Sequence, residues 1–448
     1  PPPPPPPPFF LQPSAAIPDA QESRGLGDVY KRQDIYSRSL DQWLEYIQEQ
    51  HDKEIDMGLD RMFEMVERLD LNPIIPKVVT VAGTNGKGST CITIEQLLLS
   101  HGLKVGTTLS PHVFRFNERI RLQGGELSDQ EICGHFETIE LARDGLPLTY
   151  FEFSSLAALV AFSQCDLYVV ILEIGLGGRL DAFNAIDADI AVVTSIGFDH
   201  QEFLGESLEE IGKEKAGIFR PGQKVVLGAD MPRTVYEASK SLGCEESAMG
   251  KNFRYQEGKG SSWSYFSEDL NMEAIPRGSL SAHNLSLALE VTRELVDIDP
   301  SIVIQTLPVI SLQGRMTELL LDSHNYVFDV CHNSQGAEFF VRELKLRGIE
   351  PDFIICGMFR NKDHQQVFRE VSRNIDAEWI LIDTLGARGF RSKELRDAFG
   401  GSGVCLSGFN DARAYIKIKS SNPSTVLAFG SFNVLEQACE SMNVQRIS

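Results

Sequence analysis

The chain has 448 residues, 42% of them hydrophobic, with 42 Lys+Arg against 63 Asp+Glu and a formal net charge of −21. One compact core rarely organises so long a chain, so two domains are expected. The acidic balance, with no Lys/Arg run, argues against a nucleic-acid partner, and apolar stretches such as LYVVIL at 167–172 fall far short of the roughly 20 residues of a membrane helix.

Residues 1–33 open with eight prolines and continue with no helical or strand period. They are read as a disordered or non-native extension, and they lack the basic and apolar regions of an export signal. The eight cysteines are scattered, with no CxxC pair, which fits reduced thiols in a cytoplasm.

From Leu40 the spacing Leu40, Trp43, Leu44, Ile47 predicts an amphipathic helix, and Leu59, Met62, Phe63, Val66, Leu69 predict a second. The segment 78–102 then reads as a buried strand, a Gly-rich turn and a helix closed by Gly102. Strand LKVGTTLS, a helix with Ser128 as N-cap, helix FEFSSLAALVAFSQ, and strands LYVVILEIG and ADIAVVTSIG follow. Such alternation predicts a mostly parallel sheet covered on both faces. Residues 245–276 read as exposed hairpins, 281–296 as a helix, and a second α/β series begins after LPVISLQGR. The expected architecture is α/β: a P-loop-type, mostly parallel domain at 34–311 and a smaller Rossmann-like domain at 312–448.

The chemistry-bearing residues collect at strand ends. GTNGKGST at 83–90 follows a strand and opens a helix, so backbone N–H groups can hold phosphate oxygens while Lys87 neutralises charge. Its spacing is not GxxxxGK[ST]. Glu173 ends a later strand, where open α/β sheets bind ligands, and the glycines Gly175, Gly177 and Gly178 after it are read as close backbone approaches rather than a second cofactor loop. Asp199 and His200 end the next strand on the same edge, which points to a hard divalent cation bridging nucleotide phosphates.

The segments VAGTNGKGST, LSPHVFRFNERI, TYFEF, LEIGLGGRLDAFNAID, VVTSIGFDHQEFLG, IGKEKAGIFRPG, LQGRMTE and FDVCHN together resemble, in their order, the folylpolyglutamate synthase/dihydrofolate synthase family, relatives of the Mur ligases. The resemblance runs from about Leu40 to the C-terminus. It implies ATP-dependent ligation of L-glutamate to dihydropteroate and reduced folates through an acyl phosphate, usually by a monomer. The alternatives are a folylpolyglutamate synthase with no dihydropteroate activity, a Mur-type amino-acid ligase, against which TYFEF and the SPH segment argue, or a nucleotide-hydrolysing regulator.

By resemblance, Thr84, Asn85, Gly86, Lys87, Gly88 and Ser89 hold ATP phosphates, and Ser110, Glu173 and His200 ligate Mg²⁺, with K⁺ as a further cation. Lys215 of KEKAGI matches a carbamylated lysine, so Lys87, Glu173, His200 and Lys215 form the catalytic set. Asn284, Arg315, Asp329 and His332 match contacts to the rest of the nucleotide. Ile55, Met57, Thr149, Phe151, Asp181 and Ala182 match pterin-binding positions. Two departures stand out: Phe183 replaces a usual Thr, which could alter the pterin site, and Cys331 replaces a usual Ala, which should affect only packing.

Overall fold

The strand expected at 78–81 lies in the middle of an eight-stranded sheet in the computed structural model, which describes residues 37–53, 55–71, 77–258, 262–386, 388–400 and 403–443. The expected extension at 1–33 lies outside the described residues. The strands are β1 Lys77–Ala82, β2 Val105–Thr108, β3 Ile120–Leu122, β4 Gly125–Glu126, β5 Val169–Glu173, β6 Ile190–Val193, β7 Lys224–Leu227 and β8 Glu245–Ala248. Their order is β4-β3-β2-β5-β1-β6-β7-β8. From β2 to β8 all pairs are parallel, and only the β3 and β4 edge is antiparallel.

Both faces of this sheet are buried, which is why its strands read as continuous apolar runs. Val78 of β1 with Val170 and Leu172 of β5 face the helices Leu40–Gln48, Asp60–Arg68, Asp129–Arg143 and Tyr150–Ser163. Val79, Val81, Val169 and Ile171 face the helices Lys87–Ser100 and Ala282–Leu295. Ser128 caps its helix as expected: its Oγ accepts from Glu131 N at 3.3 Å and its N donates to Glu131 Oε2 at 2.8 Å, a capping box of the kind worth about 1 kcal/mol.

The hairpins correct the sequence reading. β9 Phe253–Glu257, β10 Ser262–Ser267 and β11 Asn271–Pro276 form a three-stranded antiparallel sheet, but it is not simply exposed. Trp263, Tyr265, Met272 and Ile275 are buried in the same core as Leu285 and Leu289 of the helix Ala282–Leu295. In β10 the inward residues alternate with serines and Phe266, so the apolar half of a period-2 pattern was hidden by a polar average.

A third sheet contains β12 Thr317–Leu321, β13 His324–Asp329, β14 Phe353–Cys356, β15 Glu378–Ile382, β16 Val404–Leu406 and β17 Thr425–Phe429 in the order β12-β13-β17-β14-β15-β16. It is parallel except for β12. The passage between sheets falls between the short 3-10 turn Leu307–Val309 and Thr317. Helices Arg233–Ser241, Ser392–Phe399 and Phe409–Lys419 were not singled out in the sequence. The first buries only Val235 and Ser239, too narrow a stripe to announce a helix.

If the hairpin sheet is part of the core, Trp263→Ala should cost about 3–5 kcal/mol in denaturant unfolding. Leu320→Ala, at a side chain 74% exposed, should stay within about 0.5 kcal/mol.

Candidate active site

β1 delivers the glycine-rich loop between its two neighbours. Val81 is level with Glu173 at the end of β5, and Ala82 is level with Val193 at the end of β6. The loop is seated on the chain that follows β6: Thr84 N donates to Ser195 O at 2.8 Å, Asn85 N to Ser195 Oγ at 3.0 Å, and Thr84 Oγ1 to Gly197 O at 3.1 Å. Two glycines are sterically required. A Cβ on Gly83 would lie 1.9 Å from Thr194 Oγ1; at Gly86, where φ is +86°, it would lie 2.4 Å from Asn284 Oδ1. The helix Lys87–Ser100 starts directly from the loop, so its first N–H groups lack intrahelical acceptors and offer an anion site with the positive helix end.

Lys87 Nζ donates to Gly83 O at 3.1 Å, and Lys215 Nζ donates to the same oxygen at 3.0 Å. Lys215 is buried on the helix Leu208–Ala216. Burial and the neighbouring Lys87 charge lower its pKa to about 7. The glycines at 175–178 make close approaches, as expected: a Cβ at Gly175 would meet the Phe151 ring at 2.5 Å, and one at Gly178 would meet Lys215 O at 2.8 Å.

Glu173 is buried and accepts from Ser110 N at 2.8 Å. Burial pushes its pKa up to about 7, against the pull of Lys87. Ser110 Oγ is a buried atom with no hydrogen-bond partner, and burial holds His200 down at about 4, leaving the imidazole neutral. An orphaned hydroxyl, a carboxylate and a neutral imidazole on one cavity are a donor set suited to a divalent cation that also takes phosphate oxygens. Among the described residues no group of three or more His, Cys, Asp and Glu side chains encloses a metal without such help.

Three adjoining cavities arrange the remaining residues. The central one, about 350 Å³, contains the loop from Gly83 to Gly88, Glu173, His200, Lys215 and His332 in its walls. A smaller one of about 90 Å³ shares Asn85, Gly86 and Arg315 with it and adds Ser89, Asn284 and Asp329. There Asp329 accepts from Met316 N at 3.2 Å and Cys331 N at 2.9 Å. The buried Cys331 belongs to the core beside this cavity, consistent with a packing role.

The third cavity, about 710 Å³, shares Ser110, Gly175 and His200 with the central one and is lined by Ile55, Met57, Thr149, Phe151, Asp181 and Ala182. Two of these side chains also brace the wall. Thr149 caps the helix Tyr150–Ser163, its Oγ1 donating to Glu152 Oε2 at 2.9 Å. Asp181 accepts from the N–H groups of Gly175, Leu176 and Phe183 at 2.9, 3.0 and 3.1 Å; burial raises its pKa to about 6 against those bonds. Phe183 is buried and meets Phe151 edge-on, ring centroids 5.9 Å apart.

Sequence reasoning missed what ties the C-terminal sheet to the loop. Asn85 Nδ2 donates to Asn333 Oδ1 at 3.0 Å and Gln335 Oε1 at 2.9 Å. Asp199 accepts from Lys362 Nζ at 2.7 Å and Asn333 Nδ2 at 3.3 Å and lies 3.2 Å from His332 Nε2. Burial pushes the Asp199 pKa up, but the His332 hydrogen bond and the charges of His332 and Lys362 prevail and hold it far below the usual range. Asn333 sat within the FDVCHN segment, yet no local pattern links it to residues about 250 positions earlier.

Comparison with known proteins finds relatives over about nine-tenths of the chain. Residues 81–291 match the family model of the Mur ligase middle domain. The chain is 36% identical over 423 residues to the dihydrofolate synthase/folylpolyglutamate synthase of Haemophilus influenzae, covering 89% of this chain and 96% of that protein. It is 35% identical to the Escherichia coli protein of the same name, covering 93% and 99% respectively. Among solved structures, E. coli FolC in complex with DHPP and ADP superposes with a TM-score of 0.86 at 34% identity, over 91% of this chain and 98% of that one. The bifunctional folylpolyglutamate synthase/dihydrofolate synthase with Mn, AMPPNP and L-glutamate bound gives 0.84 at 34% identity, over 91% and 99%.

Gly86→Ala should weaken ADP binding by at least about tenfold in a calorimetric titration, because the new methyl needs both a positive φ and the space held by Asn284.

Proposed function

The chain belongs to the dihydrofolate synthase/folylpolyglutamate synthase family of ATP-dependent ligases, and from that premise we propose how its residues divide the work of joining L-glutamate to dihydropteroate and to reduced folates. The observation that carries the assignment is the run of three adjoining cavities, small, central and large, with the glycine-rich loop at the centre.

Direct attack of an amine on a carboxylate fails because oxide is a very poor leaving group. The acceptor carboxylate oxygen therefore bonds to the γ-phosphorus as the bond to the ADP oxygen breaks. The glutamate amine then attacks the acyl carbon, inorganic phosphate leaves through a tetrahedral intermediate, and the amine proton passes to solvent. Lys87 and the N–H groups at the start of its helix hold the transferring phosphoryl oxygens, and their action is positioning and charge compensation. Asn284, Arg315 and Asp329 bind the nucleotide from the small cavity, and Ile55, Met57, Phe151 and Ala182 form the apolar seat of the pterin. His332 acts at the edge of the phosphate site, where its ring meets Asp199.

ATP and a divalent metal belong to the reaction; we assign Mg²⁺ as that metal, with K⁺ as a further cation, held by Ser110, Glu173 and His200. When bound, the metal neutralises charge on the phosphate oxygens. Lys215 is read as carbamylated, its amine adding to CO₂ with loss of one proton. Its lowered pKa leaves about half the amine neutral near pH 7, where an ordinary lysine has almost none. The domain division is placed at 311/312, and the chain is read as a cytoplasmic monomer with no nucleic-acid partner. Among the described residues no helix is long and apolar enough to cross a membrane.

The bifunctional reading is favoured over the folylpolyglutamate-only alternative because Phe183 stands behind Phe151 and is absent from the lining of the large cavity. Protein, ATP, Mg²⁺ and L-glutamate incubated with dihydropteroate or with a tetrahydrofolate should each yield a product one glutamate heavier by mass. A product with the folate alone would reduce the protein to the single activity, and one with a nucleotide-sugar peptide alone would place it among the Mur-type ligases. Lys87→Ala should keep the fold and lose ligation by about 100-fold or more.

A carbamate on Lys215 should appear as a ¹³C signal in protein equilibrated with labelled bicarbonate. Because the reactive form is the neutral amine, the signal should grow as pH rises through about 7 and be missing from Lys215→Arg.

A further inference from the structure

The large cavity is lined by a cation that forms no ion pair among the described residues, Glu173 and Glu118 acting on it only at longer range. Arg119, the last residue of the 3-10 turn Phe116–Arg119 that precedes β3, lines this cavity, and its Nε donates to His112 Nδ1 at 2.7 Å. Its guanidinium carbon stands 5.6 Å from the Tyr150 ring centroid and 5.8 Å from that of Phe116. Its two Nη groups donate to no protein acceptor, and no carboxylate comes within ion-pair distance among the described residues. Other arginines with little exposure are built differently: Arg121 pairs with Glu95, Arg143 with Glu140 and Arg277 with Glu343. His112 cannot substitute for a carboxylate, since its Nδ1 accepts the Arg119 hydrogen bond as a neutral imidazole nitrogen.

A partly buried guanidinium whose Nη groups have no protein acceptor on a cavity wall offers a paired donor face to an anionic ligand. The other strong cation lining the cavity, Lys53, is well exposed and already paired with Asp56 at 2.9 Å. The cavity opens into the phosphate site through shared walls at Ser110, Gly175 and His200. We infer that Arg119 is the anchor for the reacting carboxylate of the acceptor, binding it through the Nη face of the guanidinium. The inference rests on the ligase reading of this site and adds to it the group that receives the acceptor. The planar fork matches a carboxylate in two hydrogen bonds. Its charge also offsets the repulsion that opposes bringing a carboxylate up to a triphosphate.

The test is equilibrium binding of two ligands to the full chain loaded with Mg²⁺ and ADP: pteroate, and pteroate with its carboxylate replaced by a neutral carboxamide. Wild type should prefer the carboxylate by about 10- to 100-fold. Arg119→Met should lose that preference by weakening pteroate alone, and Arg119→Lys should retain part of it. A merely structural role would weaken both ligands together in Arg119→Met, and that result, or an undiminished preference in either variant, would overturn the inference. Glutamate incorporation by wild type in the same preparation is read separately. Its absence would overturn the ligase reading, whereas normal incorporation with the preference intact in Arg119→Met would overturn the anchor alone.

Discussion

Two lysine side chains from distant parts of the chain converge on one backbone oxygen, the carbonyl of Gly83, and the chemistry of the centre follows from that convergence. Two like charges held on one acceptor repel each other, a cost added to the desolvation of Lys215. Burial is the larger cause, but both act on the more enclosed amine, and Lys215 falls to about 7. Lys87 is half-buried at the cavity wall, so the two lysines share an acceptor and differ in exposure, and the lowered pKa falls on Lys215.

The carboxylates show the complementary effect. Glu173 at about 7 and Asp181 at about 6 are both raised by burial, so the protein alone holds them at a cost that a bound cation would relieve for Glu173. The chain as a whole carries −21, and its central cavity sets Lys87, Arg121 and Arg315 among Glu118, Glu126, Glu173 and Asp199, so cations and carboxylates are interleaved around the glycine-rich loop. Asn85 of the loop is bonded to Asn333 and Gln335, so the C-terminal domain touches the glycine-rich loop itself.

Legibility in the sequence followed the range of the interactions. The β1 strand, glycine-rich loop and helix form one local unit, and Glu173 ends β5 while His200 follows β6, the strands on either side of β1, so position along the chain sufficed to place them on one edge. The two antiparallel edge strands and the burial of Trp263 and Tyr265 were not legible, because short alternating strands average to a polar composition. Neither were Lys362 and Arg119 as site residues. Lys362 acquires meaning only from Asp199, 163 positions away, and Arg119 from the cavity it lines without an ion pair among the described residues, which no motif encodes.

Asp181 illustrates how a side chain matched to ligand binding also builds the wall that receives the ligand. A carboxylate has about four acceptor sites, and the N–H groups of Gly175, Leu176 and Phe183 occupy three of them. Those bonds hold the 175–177 turn against Phe151, whose ring would collide with any side chain at Gly175. One acceptor site remains for a ring N–H or amino donor. Because the carboxylate is already fixed by backbone groups, a donor brought to that site would meet an oriented acceptor and little rotamer entropy would be lost. The same economy applies to Thr149, whose hydroxyl is committed to Glu152, so what it presents to the large cavity is a rigid helix start rather than a free hydroxyl.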